Sequence, residues 1–249
     1  MVTRFFFISS FNFSTMLSFY CPINYTVAMK YNLAIFDMDG TILSTLDDLC
    51  DSTNVILKRH GWPLHTVEEI RFMVGNGLKK LMERACPAGI DDATVSKILA
   101  EFIEYYNAHC ADRTRPYDGI PELLKELRQK GVTVAVNTNK IQSAAEELCD
   151  LYFKDLFDII CGNTPDLPVK PAPNGVHKIM KNFASEKGLQ AADVHAVYIG
   201  DSDVDYMTGK NSGIDFIGCD WGFRGEDFLR KQGASVIAKK PADVIKLMS

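Results

Sequence analysis

Four apolar residues, Leu33–Phe36, run without a polar interruption and end abruptly in two carboxylates, Asp37 and Asp39, followed by Gly40 and Thr41. An unbroken apolar run of this length reads as a strand buried on both faces, the habit of a central strand in a parallel sheet. Carboxylates at the carboxyl end of such a strand lie in the crevice where open α/β sheets bind ligands. Residues two apart on an extended backbone point to one side. Two like charges that close call for a cation between them.

The pattern beyond Thr41 changes to a helical period. Leu43, Leu46, Leu49, Val55 and Ile56 fit one face of a helix over residues 44–60, stopped by Gly61-Trp62-Pro63. A second helix begins near Thr66 with Glu68 and Glu69 in its first turn. Gly75-Asn76-Gly77 breaks the pattern, residues 78–85 resume it, and Asp91-Asp92 opens a long helix through Val95, Ile98, Phe102 and Tyr105. From Pro116-Tyr117-Asp118-Gly119, which reads as a turn, helices and strands alternate. Strands are expected at 132–136, 157–161, 196–199, 215–219 and 235–238, with helices at 120–130, 141–151, 174–186 and 243–248. Such alternation implies a parallel sheet covered on both faces. The expected fold is therefore a three-layer Rossmann-like α/β core with an inserted all-helical cap subdomain. The core spans 29–43 and 113–249, and the cap 44–112. Residues 1–28 are too polar and broken for a spanning helix; with Met29 just before the first strand, they read as a non-native or disordered leader.

Polar residues cluster at the expected strand ends. The first strand supplies Asp37 and Asp39, and the second supplies Thr138 and Asn139. The proline-rich loop after the third supplies Lys170, and the fourth supplies Asp201 and Asp205. All would open on one edge of a parallel sheet. A carboxylate there can attack phosphorus and carry the phosphoryl group. A hard cation with oxygen ligands and a lysine would neutralise the phosphoryl oxygens, which is most of the catalysis in phosphoryl transfer.

Asp37-Met38-Asp39-Gly40-Thr41, Thr138 ending Val-Ala-Val-Asn-Thr, Lys170 in Val-Lys-Pro-Ala-Pro, and Gly200-Asp201-Ser202-Asp203-Val204-Asp205 resemble, in order, the four motifs of the haloacid dehalogenase superfamily. The resemblance implies that Asp37 is the nucleophile and Asp39 the general acid and base. It implies further that Thr138 and Lys170 bind the transferring phosphoryl group. Mg²⁺ would be held by Asp37, Asp201 and the main-chain carbonyl of Asp39, with Asp205 reaching it directly or through water or Lys170. Gly40, Thr41, Asn139 and Asn76 are the implied substrate-binding positions, and Arg71 and Lys79 are further candidates for an anionic substrate group. A second Asp at position 39 argues against the dehalogenase branch, which has no leaving group to protonate.

The helical insert, with Val74-Gly75-Asn76-Gly77-Leu78, Arg84-Ala85 and Asp220-Trp221-Gly222-Phe223, resembles that of phosphoglycolate phosphatases. The alternatives are a pyrophosphatase, a nucleotide or sugar phosphatase, a sugar phosphomutase, and a non-catalytic binding protein of the same fold. The implied partner is a small phosphorylated metabolite handled by a monomer or homodimer. A formal net charge of −5 argues against a generic nucleic-acid binder. Seven cysteines with no Cys-x-x-Cys spacing suit free thiols in a reducing, cytoplasmic compartment, with no membrane involvement.

Overall fold

A computed structural model of the chain describes residues 29–249. The expected leader, residues 1–28, lies outside the described residues.

The chain begins with β1 (Leu33–Phe36), a two-residue strand β2 (Leu43–Ser44), and four helices: α1 (Leu46–Arg59), α2 (Val67–Met73), α3 (Leu78–Ala85) and α4 (Asp92–His109). A second two-residue strand, β3 (Arg115–Pro116), returns the chain toward the sheet. There follow α5 (Ile120–Gln129), β4 (Thr133–Ile141), α6 (Gln142–Phe153), β5 (Ile159–Asn163) and α7 (Asn174–Lys187). The chain ends with β6 (Ala196–Gly200), α8 (Asp203–Ser212), β7 (Asp215–Cys219), α9 (Glu226–Gln232), β8 (Ile237–Ala238) and α10 (Pro241–Leu247).

Six of the strands form one parallel sheet in the order β5-β4-β1-β6-β7-β8, so the chain's first strand sits in the middle. All four β1 side chains are fully buried, as their unbroken apolar character requires. They alternate between faces. Leu33 and Ile35 join a cluster with Val176, Ile179 and Phe183 of α7, while Ala34 and Phe36 join the cluster of α5, α6 and α10. Phe36 pairs in register with Val136 of β4 and Ile199 of β6. The next residues on the three strands, Asp37, Asn137 and Gly200, therefore reach the sheet edge together.

Helices α1 to α4 pack on one another, with α4 against both α1 and α3. Local caps set their starts. Thr66 and Glu69 form a reciprocal capping box on α2, and Asp91 accepts from the Thr94 amide at the start of α4. Where the helical layer leaves and rejoins the sheet, β2 and β3 pair antiparallel, Leu43 with Pro116 and Ser44 with Arg115. The buried Asp48 carboxylate, in the first turn of α1, accepts from the backbone amides of Arg113 and Thr114 and ties the two crossings together.

Three local readings of the sequence need correction. Leu43 belongs to β2 and not to the first helix, which starts at Leu46. Pro116 lies in β3 and not in a turn. Strand β4 continues to Ile141, so residues 137–140 are extended backbone with a register shift against β5, and α6 starts one residue later than expected. In each case a two-residue pairing or a bulge carries no hydrophobic period, so periodicity could not report it.

Candidate active site

Asp37 follows β1 directly, and its buried carboxylate faces Lys170 from the proline-fixed loop after β5. The Lys170 ammonium donates to Asp37 Oδ1 at 2.6 Å and to Asp205 Oδ1 at 2.7 Å. Burial opposes the lysine's charge, but the carboxylates of Asp205 and Asp37 outweigh it and hold its pKa above the usual lysine range. Asp37 is pushed well above the ordinary carboxyl value, by burial first and by the Asp205 charge second, with Lys170 pulling the other way.

Asp201 directly follows β6 and is held from three directions. The Thr41 hydroxyl donates to its Oδ1 at 2.9 Å, the Phe223 amide donates to its Oδ2 at 2.7 Å, and two glycines flank it. A Cβ on Gly40, whose φ is +90°, would stand 2.5 Å from Asp201 Oδ2. One on Gly222 would stand 2.2 Å from the Asp201 Cβ. Burial, with the neighbouring Asp205 charge, pushes the Asp201 carboxyl up to about 7. Asp205 sits in the first turn of α8, where its Oδ2 accepts from the Ser202 hydroxyl and from the amides of Asp201 and Ser202.

Asp39 projects elsewhere. Its Oδ1 lies 3.3 Å from the buried Lys140 ammonium, close enough for an ion pair but not aligned as a hydrogen bond. Thr138 is buried beside it, and its hydroxyl accepts from the Lys140 amide at 3.2 Å. Asn139 is committed to the backbone. Its side chain accepts from the Lys170 amide at 2.7 Å and donates to the carbonyls of Gly75 and Lys170.

A cavity opens between the sheet edge and the helical layer. On the sheet side Asp37, Asp39, Thr138, Asn139, Lys140, Asp201, Phe223 and Arg224 border it; across from them stand Leu49, Val74, Gly75, Gly77, Leu78 and Leu81. Of the expected substrate-binding residues, Asn139 borders the cavity, while Gly40, Thr41 and Asn76 do not. Gly40 and Thr41 face Asp201 instead, and the Asn76 side-chain Oδ1 accepts from the Arg84 guanidinium. Arg71 pairs with Glu68 and Lys79 with Glu83 on the surface of the same helices.

Sequence reasoning missed two cations. Lys140 fell between the strand expected at 132–136 and the helix expected at 141–151, because the extension of β4 that buries it was not visible. Arg224 drew no attention. Its guanidinium donates to the Arg71 carbonyl at 2.8 Å and to the Val74 carbonyl at 3.1 Å, bracing α2 against the sheet domain. Its position just after Trp221-Gly222-Phe223 was the one available hint.

Oxygens of Asp37, Asp201 and Asp205 all lie within 4.8 Å of one another. Three buried carboxylates stand against one lysine, and burial first, with the Asp205 charge second, raises the Asp201 carboxyl. Hard oxygen donors around such a charge fit a divalent cation. Asp205 accepts four hydrogen bonds, Asp201 two and Asp37 one from Lys170, so Asp37 and Asp201 are the carboxylates with lone pairs left to ligate.

A family model described as haloacid dehalogenase-like hydrolase matches residues 34–219. A phosphoglycolate phosphatase of Caulobacter vibrioides is 31% identical over 216 residues, covering 85% of this chain and 88% of the relative. An N-acetylmuramic acid 6-phosphate phosphatase of Pseudomonas aeruginosa is 30% identical over 223 residues, covering 88% and 96%. Among solved structures, a candidate phosphoglycolate phosphatase from Lactobacillus delbrueckii subsp. bulgaricus superposes with a TM-score of 0.79 at 34% identity, over 88% of this chain and 99% of that one. The chain belongs to the haloacid dehalogenase-like hydrolases, and the family and α/β core expected from its motifs are those found.

Proposed function

We propose that this haloacid dehalogenase-like hydrolase removes phosphate from a small phosphomonoester, phosphoglycolate above all, by way of a phosphoryl group carried on Asp37. The observation that carries the reading is the Lys170 ammonium, seated between Asp37 and Asp205 with Asp201 alongside. It gathers three of the four motifs on one carboxylate at the edge of the sheet.

In this mechanism a carboxylate oxygen of Asp37 attacks phosphorus as the ester P–O bond breaks. Asp39 gives its proton to the leaving oxygen, then takes one from the water that attacks the aspartyl-phosphate. The product is inorganic phosphate and a free Asp37 carboxylate. Lys170 offsets part of the burial that disfavours an ionised Asp37, and the Thr138 hydroxyl meets a phosphoryl oxygen. Mg²⁺ would be held by Asp37, Asp201 and the main-chain carbonyl of Asp39, and would supply charge neutralisation at the phosphoryl group. Six described cysteines, all buried and unpaired, support a reducing compartment such as the cytoplasm. No described helix is long and apolar enough to cross a membrane.

One observation favours a second substrate. The cavity wall opposite Asp39 is formed by Leu49, Val74, Leu78 and Leu81, and the lining cations Lys140 and Arg224 are already engaged. That wall suits a leaving group bulkier than glycolate, such as an amino sugar. Phosphate release from phosphoglycolate and N-acetylmuramic acid 6-phosphate, with Mg²⁺, distinguishes the two. Loss of release in Asp37→Asn supports the mechanism; full activity in that variant overturns it.

A further inference from the structure

Lys140 has no part in the four motifs, yet it is one of the most deeply buried charges in the molecule, with 5% of its surface exposed. A buried ammonium is costly unless it is paired and hydrogen-bonded. Its charge partner is Asp39, 3.3 Å away, and its hydrogen-bond partner is the Tyr106 hydroxyl, to which it donates at 2.8 Å. The ammonium also lies 4.7 Å from the centre of the Tyr106 ring. Tyr106 belongs to α4, is 1% exposed, and stacks on the fully buried Phe102 at 5.3 Å between ring centres. The lysine is thus clamped by an aromatic side chain that cannot swing away. Burial opposes its charge, and Asp39 and Tyr106 more than restore it.

The alignment of the pair is telling. Asp39 Oδ1 takes no hydrogen bond from any described residue, although the ammonium stands next to it. Asp39 also borders the cavity. Charge attraction fixes where the carboxyl group sits: Oδ1 is buried against the ammonium, while the side chain as a whole stays 25% exposed.

We propose that Lys140 is the positioning residue for Asp39, and that Tyr106 makes the helical layer part of that arrangement. The inference rests on the reading of Asp37 as nucleophile and Asp39 as the group that moves protons. Two steps need Asp39 in place. In the first, the Asp37–phosphorus bond forms, the ester P–O bond breaks, and the Asp39 proton goes to the leaving alkoxide. In the second, a water oxygen bonds to phosphorus, its proton goes to Asp39, and the Asp37–phosphorus bond breaks. An aryl leaving group such as p-nitrophenolate departs without a proton, so only the second step then depends on Asp39.

That asymmetry gives the test, by rapid mixing of Lys140→Met and Tyr106→Phe with p-nitrophenyl phosphate and with phosphoglycolate, Mg²⁺ present. For Lys140→Met the expected result with the aryl ester is a burst of nitrophenolate near the wild-type rate, approaching one per site. Steady-state turnover then slows about 10²-fold, the scale of a misplaced catalytic group. With phosphoglycolate, turnover falls at least as far and shows no burst. Tyr106→Phe follows the same pattern at about tenfold or more, the size of one hydrogen bond to a charged group, and carries the test if Lys140→Met does not fold. An equal fall for both esters without a burst overturns the role of Lys140 and Tyr106, as does unchanged turnover of both. Phosphorylation of Asp37 in the wild type, found by peptide mass spectrometry, separates that outcome from failure of the mechanism itself, in which wild-type Asp37 would carry no phosphate.

Discussion

Arg224 Nη1 donates to the main-chain carbonyl of Arg71 at 2.8 Å, joining the loop after β7 to the last turn of α2. Carbonyls at a helix C-terminus lack partners within the helix and carry the negative end of its dipole, so a guanidinium is well matched to them. The same group lies 5.6 Å from the ring centres of Phe72 and Phe228. Together with the β2–β3 pair, this contact sets how the helical layer covers the cavity.

Arg224→Met removes those donors while keeping much of the side-chain bulk. Charged hydrogen bonds contribute about 1.5–3 kcal/mol, discounted here because Arg224 is partly exposed. The expected outcome is a fall of about tenfold in kcat/KM, mostly through KM, with little change in Tm. Steady-state kinetics on the preferred ester checks it; unaltered KM would show that the contact does not govern closure.

Gly40→Ala places a methyl group 2.5 Å from Asp201 Oδ2, at a φ of +90° that alanine resists. The fold should survive with a loss of about 1–3 kcal/mol, while Asp201 is displaced. The half-saturating Mg²⁺ concentration for activity should rise at least about tenfold, for the loss of one well-placed ligand. A magnesium titration giving the wild-type midpoint would contradict the placement of Asp201 as a ligand.

With Asp201 as a proposed metal ligand, metal and proton should compete there. Its carboxyl has an ordinary value of 3.8 and is pushed up to about 7 by burial and by Asp205. Between those values the folded, metal-free protein holds a proton that the unfolded chain has released. The stability this protonation contributes is fully present below 3.8 and is lost as pH rises to about 7. A bound divalent cation replaces the missing positive charge. Mg²⁺ should therefore raise Tm more at about pH 8 than at about pH 5. Thermal unfolding with and without Mg²⁺ at both values checks this, and a shift as large at the lower pH would count against it.

What the sequence revealed depended on how each residue's role is encoded. β1 was plain because a strand buried on both faces must be apolar throughout, and Asp37 and Asp201 were plain because polar residues interrupt such strands only at their ends. Lys140 was not, because its burial comes from Tyr106, 34 residues away, and from a bulged extension of β4. Thr41 and Gly40 sit where their motif places them, but their contacts run to Asp201. Spacing along the chain shows that such residues are near the site, and only packing shows which neighbour they serve. The short strands β2 and β3 escaped for a related reason: two residues cannot display a period.

The central claim is that Asp37 carries the phosphoryl group. Rapid acid quench of the wild-type protein turning over its ester with Mg²⁺, followed by peptide mass spectrometry, tests it most directly. The account predicts a phosphoryl adduct on Asp37, absent from Asp37→Asn. Steady turnover with no adduct at Asp37, or with the adduct on another residue, would contradict it.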